Sequence, residues 1–309
     1  MAGSGAGSLQ AERGTAARGL SDFRIVEAPR GVRIPLAAAG PPPHVRDSEN
    51  GGEMELGVAL KALLWDVDGT LADTEFQGHR QAYNAAFRSA GLPWRWDVAT
   101  YRQLLAVSGG RERLRHFFSQ VGQAPLDDGL VEALMAAKQR AYANLARQGQ
   151  LPLRPGVQRL VAEVAARGRP QALVTTSSRS AVAALLAGQG SALASAFCFW
   201  ICGEDVEAKK PSPQGYRQAL ERLNLHPCQA LALEDSPQGL EAATAAGLSC
   251  LLTLGDSPTT GPGAWWRQSR AAVDHLGERD LPTRILHGPP CAPALVTLPW
   301  LERVLEAVG

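Results

Sequence analysis

The chain predicts an α/β protein in which a parallel-sheet core carries an inserted all-helical segment. From residue 57 onward, short apolar runs alternate with helical patterns, as a parallel sheet with crossover helices requires. The runs are mostly apolar, as strands covered on both faces must be. Between residues 76 and 150 the alternation stops and only helical periodicity remains.

Strands are expected at 62–65, 171–174, 197–201, 230–233 and 249–253, with helices at 156–167, 179–186, 215–223 and 238–246. The insert reads as helices over 79–90, 101–107, 112–121 and 130–145. The first of these ends at Gly91 and Pro93, the usual stop order. A last short helix is expected at 299–308. The implied domains are a core of 54–74 and 151–285, a helical cap domain of 75–150, and a C-terminal extension of 286–309.

Residues 1–53 differ from the rest. Gly, Ala, Ser, Arg and Pro dominate, no periodicity persists, and Pro41, Pro42 and Pro43 stand in a row. Such a segment cannot bury enough apolar surface to offset its ordering entropy, so a disordered tail is expected. It reads as a flexible tail, an organelle-targeting segment, or a stretch ahead of a later start at Met54. Transit peptides are poor in acid, and Glu12, Asp22 and Glu27 count against one. A cytoplasmic protein is expected, with the plastid stroma as the alternative if 1–53 is a transit peptide.

Composition excludes several classes. Hydrophobic residues are 45% of 309 and no apolar run approaches the length of a membrane span, so no membrane partner is expected. A formal charge of +1 attracts neither nucleic acid nor anionic lipid in bulk. The five cysteines (Cys198, Cys202, Cys228, Cys250 and Cys291) include no Cys-x-x-Cys pair. That pattern suits buried thiols in a reducing compartment better than disulfides or zinc. The expected partner is a small molecule, and the expected state a monomer.

Chemistry gathers after the apolar runs. Asp66 and Asp68 follow the first, and residues two apart in an extended chain face the same side. Paired carboxylates need a cation or a proton, and Mg²⁺ suits an all-oxygen site. Thr175, Thr176, Ser177 and Ser178 follow the second run, Lys209 and Lys210 come shortly after the third, and Glu234 and Asp235 follow the fourth. In open parallel sheets ligands bind at the carboxyl ends of strands, so these segments converge. The set suits phosphoryl transfer. Asp66 can attack phosphorus, and Asp68 can give and take a proton. Asp66, Asp235 and a backbone carbonyl can hold Mg²⁺, with Glu234 behind them. Thr175 and Lys210 can meet the phosphate.

Asp66-Val67-Asp68-Gly69-Thr70, Thr175, Lys210-Pro211 and Glu234-Asp235-Ser236 resemble the four motifs of the haloacid dehalogenase superfamily over about residues 60–275. The chain is most similar to the CbbY-like phosphatase branch, on Asp73-Thr74-Glu75, Gly78-His79-Arg80, Gly109 to Arg113, Lys138 with Tyr142, and Leu153 to Val157. The resemblance implies a Rossmann-like core with a helical cap, Asp66 as nucleophile and Asp68 as acid and base. It implies Mg²⁺ held by Asp66, the Asp68 carbonyl and Asp235, and a phosphate gripped by Thr175, Thr176 and Lys210. The implied substrate is xylulose-1,5-bisphosphate, a by-product that blocks the carbon-fixing enzyme of the Calvin cycle.

In the cap, Glu75 and His79 stand four apart and are expected on one helical face over Asp66. Gly110 and Arg111 form a loop presenting a guanidinium to a second phosphate, and Lys138 and Tyr142 repeat the four-residue spacing. One alternative is a sugar phosphomutase of the β-phosphoglucomutase kind. Another is a binding protein with a vestigial site.

Overall fold

The apolar run ahead of the paired carboxylates forms a fully buried strand, β1 (Ala62–Trp65). The computed structural model describes residues 59–107, 109–122, 127–254 and 264–306; the expected tail at 1–53 lies outside them. β1 is followed by β2 (Gln171–Val174), β3 (Phe199–Ile201), β4 (Ala230–Glu234), β5 (Ser249–Thr253), β6 (Ala271–Val273) and β7 (Ile285–His287). These form one sheet in the order β3-β2-β1-β4-β5-β6-β7, parallel except for β7 against β6. In register, Leu64 of β1 lies between Ala172 and Ala232, so the central strands end level with one another.

Between β1 and β2 lie α1 (Arg80–Ser89), α2 (Val98–Leu104), α3 (Gly110–Gln120) and α4 (Asp128–Arg147). Asp97 and Asp127 start two of them by accepting hydrogen bonds from Thr100 N at 2.7 Å and Leu130 N at 2.9 Å. These helices have their own aromatic core, including Tyr83, Phe87, Trp96 and Phe117. The chain then forms α5 (Val157–Ala166), α6 (Arg179–Gln189), α7 (Ser191–Ser195), α8 (Gln214–Leu223), α9 (Pro237–Ala245) and α10 (Leu298–Glu306).

Alternation along the strands assigns the two sheet faces. Leu63, Trp65, Leu231 and Leu233 pack with residues of α5, α6 and α10. Ala62, Leu64, Ala232 and Leu252 pack with α8 and α9. The sheet is thus covered on both sides, as its apolar strands require.

Three features depart from expectation. β3 begins at Phe199, because Phe197 turns into the core while Cys198 N bonds Gln171 O at 2.9 Å. β6 and β7, three residues each, are too short to carry a readable period. All five thiols are free, but Cys198 and Cys228 are exposed rather than buried. Among the described residues no helix is long and apolar enough to cross a membrane. Arginines tie the end of β5 and the backbone at Asp274, Leu276 and Val296 to the core. Arg154 donates to Thr253 O at 2.7 Å and Asp274 O at 2.5 Å, and Arg159 donates to Leu276 O and Val296 O, each at 2.8 Å.

Candidate active site

The carboxyl ends of β1, β2 and β4 open into a cleft of about 1620 Å³. Asp66, Asp68, Thr176, Ser177, Lys210 and Asp235 line its floor, and residues of the π-helical turn Glu75–His79 and of α1–α4 line its roof. Asp66 extends the β1 ladder by one residue, its N–H bonding Leu233 O at 3.0 Å. Lys210 Nζ reaches Asp66 Oδ1 at 2.5 Å, Glu234 Oε1 at 2.6 Å and Val174 O at 2.8 Å. Its three N–H groups are thereby all used. Burial would lower the Lys210 pKa, but Asp66 and Glu234 outweigh it and hold the group an ammonium.

Among the described residues, Asp66, Glu234 and Asp235 form the one group of carboxylates able to hold a metal ion, one oxygen from each lying within 4.8 Å of the others. Burial pushes the Asp66 carboxyl up, and Glu234, Asp235 and Asp68 add to this against Lys210. Burial and then Glu234 push Asp235 up to about 8, with Arg154 opposing. Glu234 Oε2 is buried without a hydrogen-bond partner. Gly69, at φ +88, packs so closely that a Cβ would overlap the Asp235 carboxylate. Crowded hard oxygens with more negative charge than one lysine answers fit a divalent cation such as Mg²⁺.

Asp68 sits apart from this group. It accepts from Thr74 Oγ1 at 2.5 Å, from His79 Nε2 at 2.8 Å, and from Ser177 Oγ. Burial would raise its pKa, but the adjoining His79 and the donors His79, Ser177 and Thr74 hold it well below the carboxylate range. Lys138 Nζ meets His79 Nδ1 at 2.8 Å, and the Tyr142 ring stacks on the imidazole with centroids 4.5 Å apart. Burial lowers Lys138 to about 8, so at pH 7 it is mainly an ammonium and can only donate. Nδ1 therefore accepts, and Nε2 carries the proton given to Asp68.

The expected residues are placed unevenly. Asp66, Asp68, Thr176, Lys210 and Asp235 meet on the floor, and Glu75, His79, Gly110, Arg111 and Lys138 on the roof. Thr175 does not line the cleft: its Oγ1 accepts from Ser177 N at 3.0 Å, which aims Ser177 inward. Glu75 and His79 do not stack as on an α-helix, because His79 N bonds Thr74 O, five residues back. Glu75 Oε2 instead accepts from Tyr101 Oη at 2.6 Å, and Arg113 Nη1 donates to the Tyr101 hydroxyl at 2.9 Å. Arg111, 47% exposed, does not present a free guanidinium: Glu132 takes it bidentately at 2.7 and 2.8 Å. Gly110 is needed for space, since a Cβ there would meet Tyr83 Oη and Met135.

Sequence reasoning gave Thr74, Ser177 and Arg113 no individual role in the site and did not single out Tyr216. Thr74 and Ser177 carried a signal, being hydroxyls within six and two residues of Asp68 and Thr175. Arg113 lies in the Gly-Gly-Arg-Glu-Arg stretch, two residues after Arg111.

Residues 60–247 match the haloacid dehalogenase-like hydrolases. The CbbY protein of Cupriavidus necator is 44% identical over 207 residues, covering 65% of this chain and 79% of that protein. The crystal structure of CbbY from Rhodobacter sphaeroides with phosphate has a TM-score of 0.63 at 38% identity, covering 70% of this chain and 94% of that one. A mutant of that protein in complex with xylulose-1,5-bisphosphate has a TM-score of 0.61 at 37% identity, covering 72% and 98%. The chain belongs to the haloacid dehalogenase-like hydrolases, as a phosphatase similar to the CbbY proteins.

Proposed function

We propose that the protein is a Mg²⁺-dependent sugar phosphatase that removes one phosphate from xylulose-1,5-bisphosphate through a phosphoryl group carried on Asp66. The observation that carries this reading is the pairing of Asp66 with Lys210 at the strand ends, with Asp68 held separately in the same cleft. Residues 75–150 act as a cap on a core of 54–74 and 151–285. The cleft exceeds the ~300–1,000 Å³ of ordinary small-ligand pockets, which suits a cap that closes further on substrate.

An Asp66 oxygen attacks phosphorus, and the bond to the sugar oxygen breaks as the aspartyl phosphate forms. Lys210 offsets charge on Asp66 and the incoming phosphate, while Thr176 and Ser177 supply donors from the β2 end. Asp68 protonates the departing sugar oxygen and then takes a proton from the water that cleaves the acyl phosphate. For the first task it must leave the donors that hold it ionised. Ser177 can make that exchange by turning to the phosphate. His79 and Lys138 set the direction in which Asp68 relaxes. Mg²⁺, held by Asp66, Asp235 and the Asp68 carbonyl, would neutralise phosphate charge, with Glu234 fixing Lys210 behind it.

The non-reacting phosphate needs a cation under the cap. Lys138 lines the cleft, as does Arg102, whose guanidinium lies 5.5 Å over the Phe76 ring. Arg111 contributes only if it leaves Glu132. The deciding experiment is phosphate release from xylulose- and ribulose-1,5-bisphosphate side by side. The expected result is a preference for the xylulose compound of about 10²-fold in kcat/KM, as one misplaced hydroxyl leaves buried polar groups unpaired. No release from either compound would sink the reading. Interconversion of sugar monophosphates would favour the mutase.

Metal binding should be linked to protons. With Asp235 pushed up to about 8, the metal-free site holds a proton at pH 7 that Mg²⁺ must displace. Calorimetry at pH 7 in buffers of different ionisation enthalpy is expected to report release of close to one proton per Mg²⁺. Affinity should fall as pH drops below 8. The raised carboxyl stabilises the metal-free fold fully below its ordinary 3.8, and that contribution is lost as pH rises through about 8. Binding without proton release would contradict this.

A further inference from the structure

Tyr216 is fully buried in the first turn of α8, six residues after Lys210. Its ring centroid lies 5.3 Å from Lys210 Nζ, and its Oη donates to Glu234 Oε1. The same carboxylate oxygen meets Lys210 at 2.6 Å, so Glu234 and Asp66 share one ammonium. Glu234 cannot turn away, because its Oε2 is packed against Gly239, where a Cβ would overlap it. A fully buried carboxylate with no other donor would draw the ammonium to itself.

We propose that Tyr216 is a positioning residue: its hydroxyl answers part of the Glu234 charge and thereby keeps Lys210 on the Asp66 carboxylate. The ring supports the ammonium from below, and the phenol supplies a neutral donor that cannot compete for Asp66. Lys210 is then kept on Asp66 by the balance of its two carboxylates, and the phenol sets that balance. This rests on the reading of Asp66 as nucleophile and Lys210 as its partner.

Tyr216→Phe keeps the ring and the packing and removes only the hydroxyl. Its first readout is Mg²⁺ affinity, measured by calorimetry on substrate-free protein. With the donor gone, Glu234 is less offset and Lys210 shifts toward it, leaving Asp66 more negative. Mg²⁺ is expected to bind several-fold more tightly, while kcat falls about tenfold and KM changes much less. In a Glu234→Gln background, where the charge is absent, adding Tyr216→Phe should leave Mg²⁺ affinity unchanged. Unchanged or weaker Mg²⁺ binding in a folded Tyr216→Phe protein would overturn the proposal, as would an equal shift in both backgrounds. The affinity readout needs no turnover. If Asp66→Asn stayed active, the nucleophile assignment would fail by a separate measurement.

Discussion

Asp66→Asn is expected to fold normally and to lose at least about four orders of magnitude in phosphate release, because an amide cannot form the acyl phosphate. The neighbourhood argues that this loss is chemical and not structural. Asp66 is one of several carboxylates pressed together at the β1 and β4 ends, and burial followed by its acidic neighbours already pushes its carboxyl up. Replacing it removes a repulsive charge while keeping shape. Lys210 retains Glu234 at 2.6 Å and Val174 O at 2.8 Å, so no cation is stranded. The variant should therefore melt no lower than wild type at pH 7 to 8 without metal. Phosphate release and thermal unfolding on the same preparation check both halves. Residual activity within a hundredfold of wild type would remove Asp66 from the role of nucleophile.

The floor of this site was far more legible than its roof, and the reason is physical. Asp66, Asp68, Lys210, Glu234 and Asp235 follow short apolar strands, whose period of two and shared direction place their ends together. Residues over the cleft depend on pairings between distant helices. Arg111 looked free because Glu132, 21 residues on in α4, is not its neighbour in sequence. Glu75 and His79 have the spacing of an α-helical face, yet the chain forms a π-helical turn there and aims them at different partners. Lys138 and Tyr142 lie on the regular helix α4, where the four-residue spacing does bring both onto His79. Tyr216 illustrates the last kind of omission. It reads as one more apolar position of α8, and only the packing of that helix beneath Lys210 gives its hydroxyl a partner.

Asp68→Asn should separate the two half-reactions that Asp68 serves. The substitution keeps the backbone carbonyl, and the amide oxygen can still accept from Thr74 and His79, which share Oδ1, while the amide NH2 replaces the oxygen facing Ser177 Oγ, a hydroxyl that can turn to accept. The local structure should therefore hold. What is lost is the proton transfer. A sugar alkoxide is a poor leaving group and needs that proton, so sugar phosphates should react with the variant about 10²- to 10⁴-fold more slowly from the first step onward. An aryl phosphate such as p-nitrophenyl phosphate has a leaving group stable as an anion. It should phosphorylate Asp66 at close to the wild-type rate and then stall, because no base activates the water. Rapid mixing should show a burst of about one nitrophenolate per active site followed by a slow steady state, with label retained on the protein. As folded here, Asp68 is an ionised acceptor held by three donors, so the acid step, which needs it protonated, and the base step, which needs a free lone pair, both require it to release some of them. Equal loss with both substrates and no burst would mean that Asp68 only shapes the cleft, and would assign proton transfer to another group.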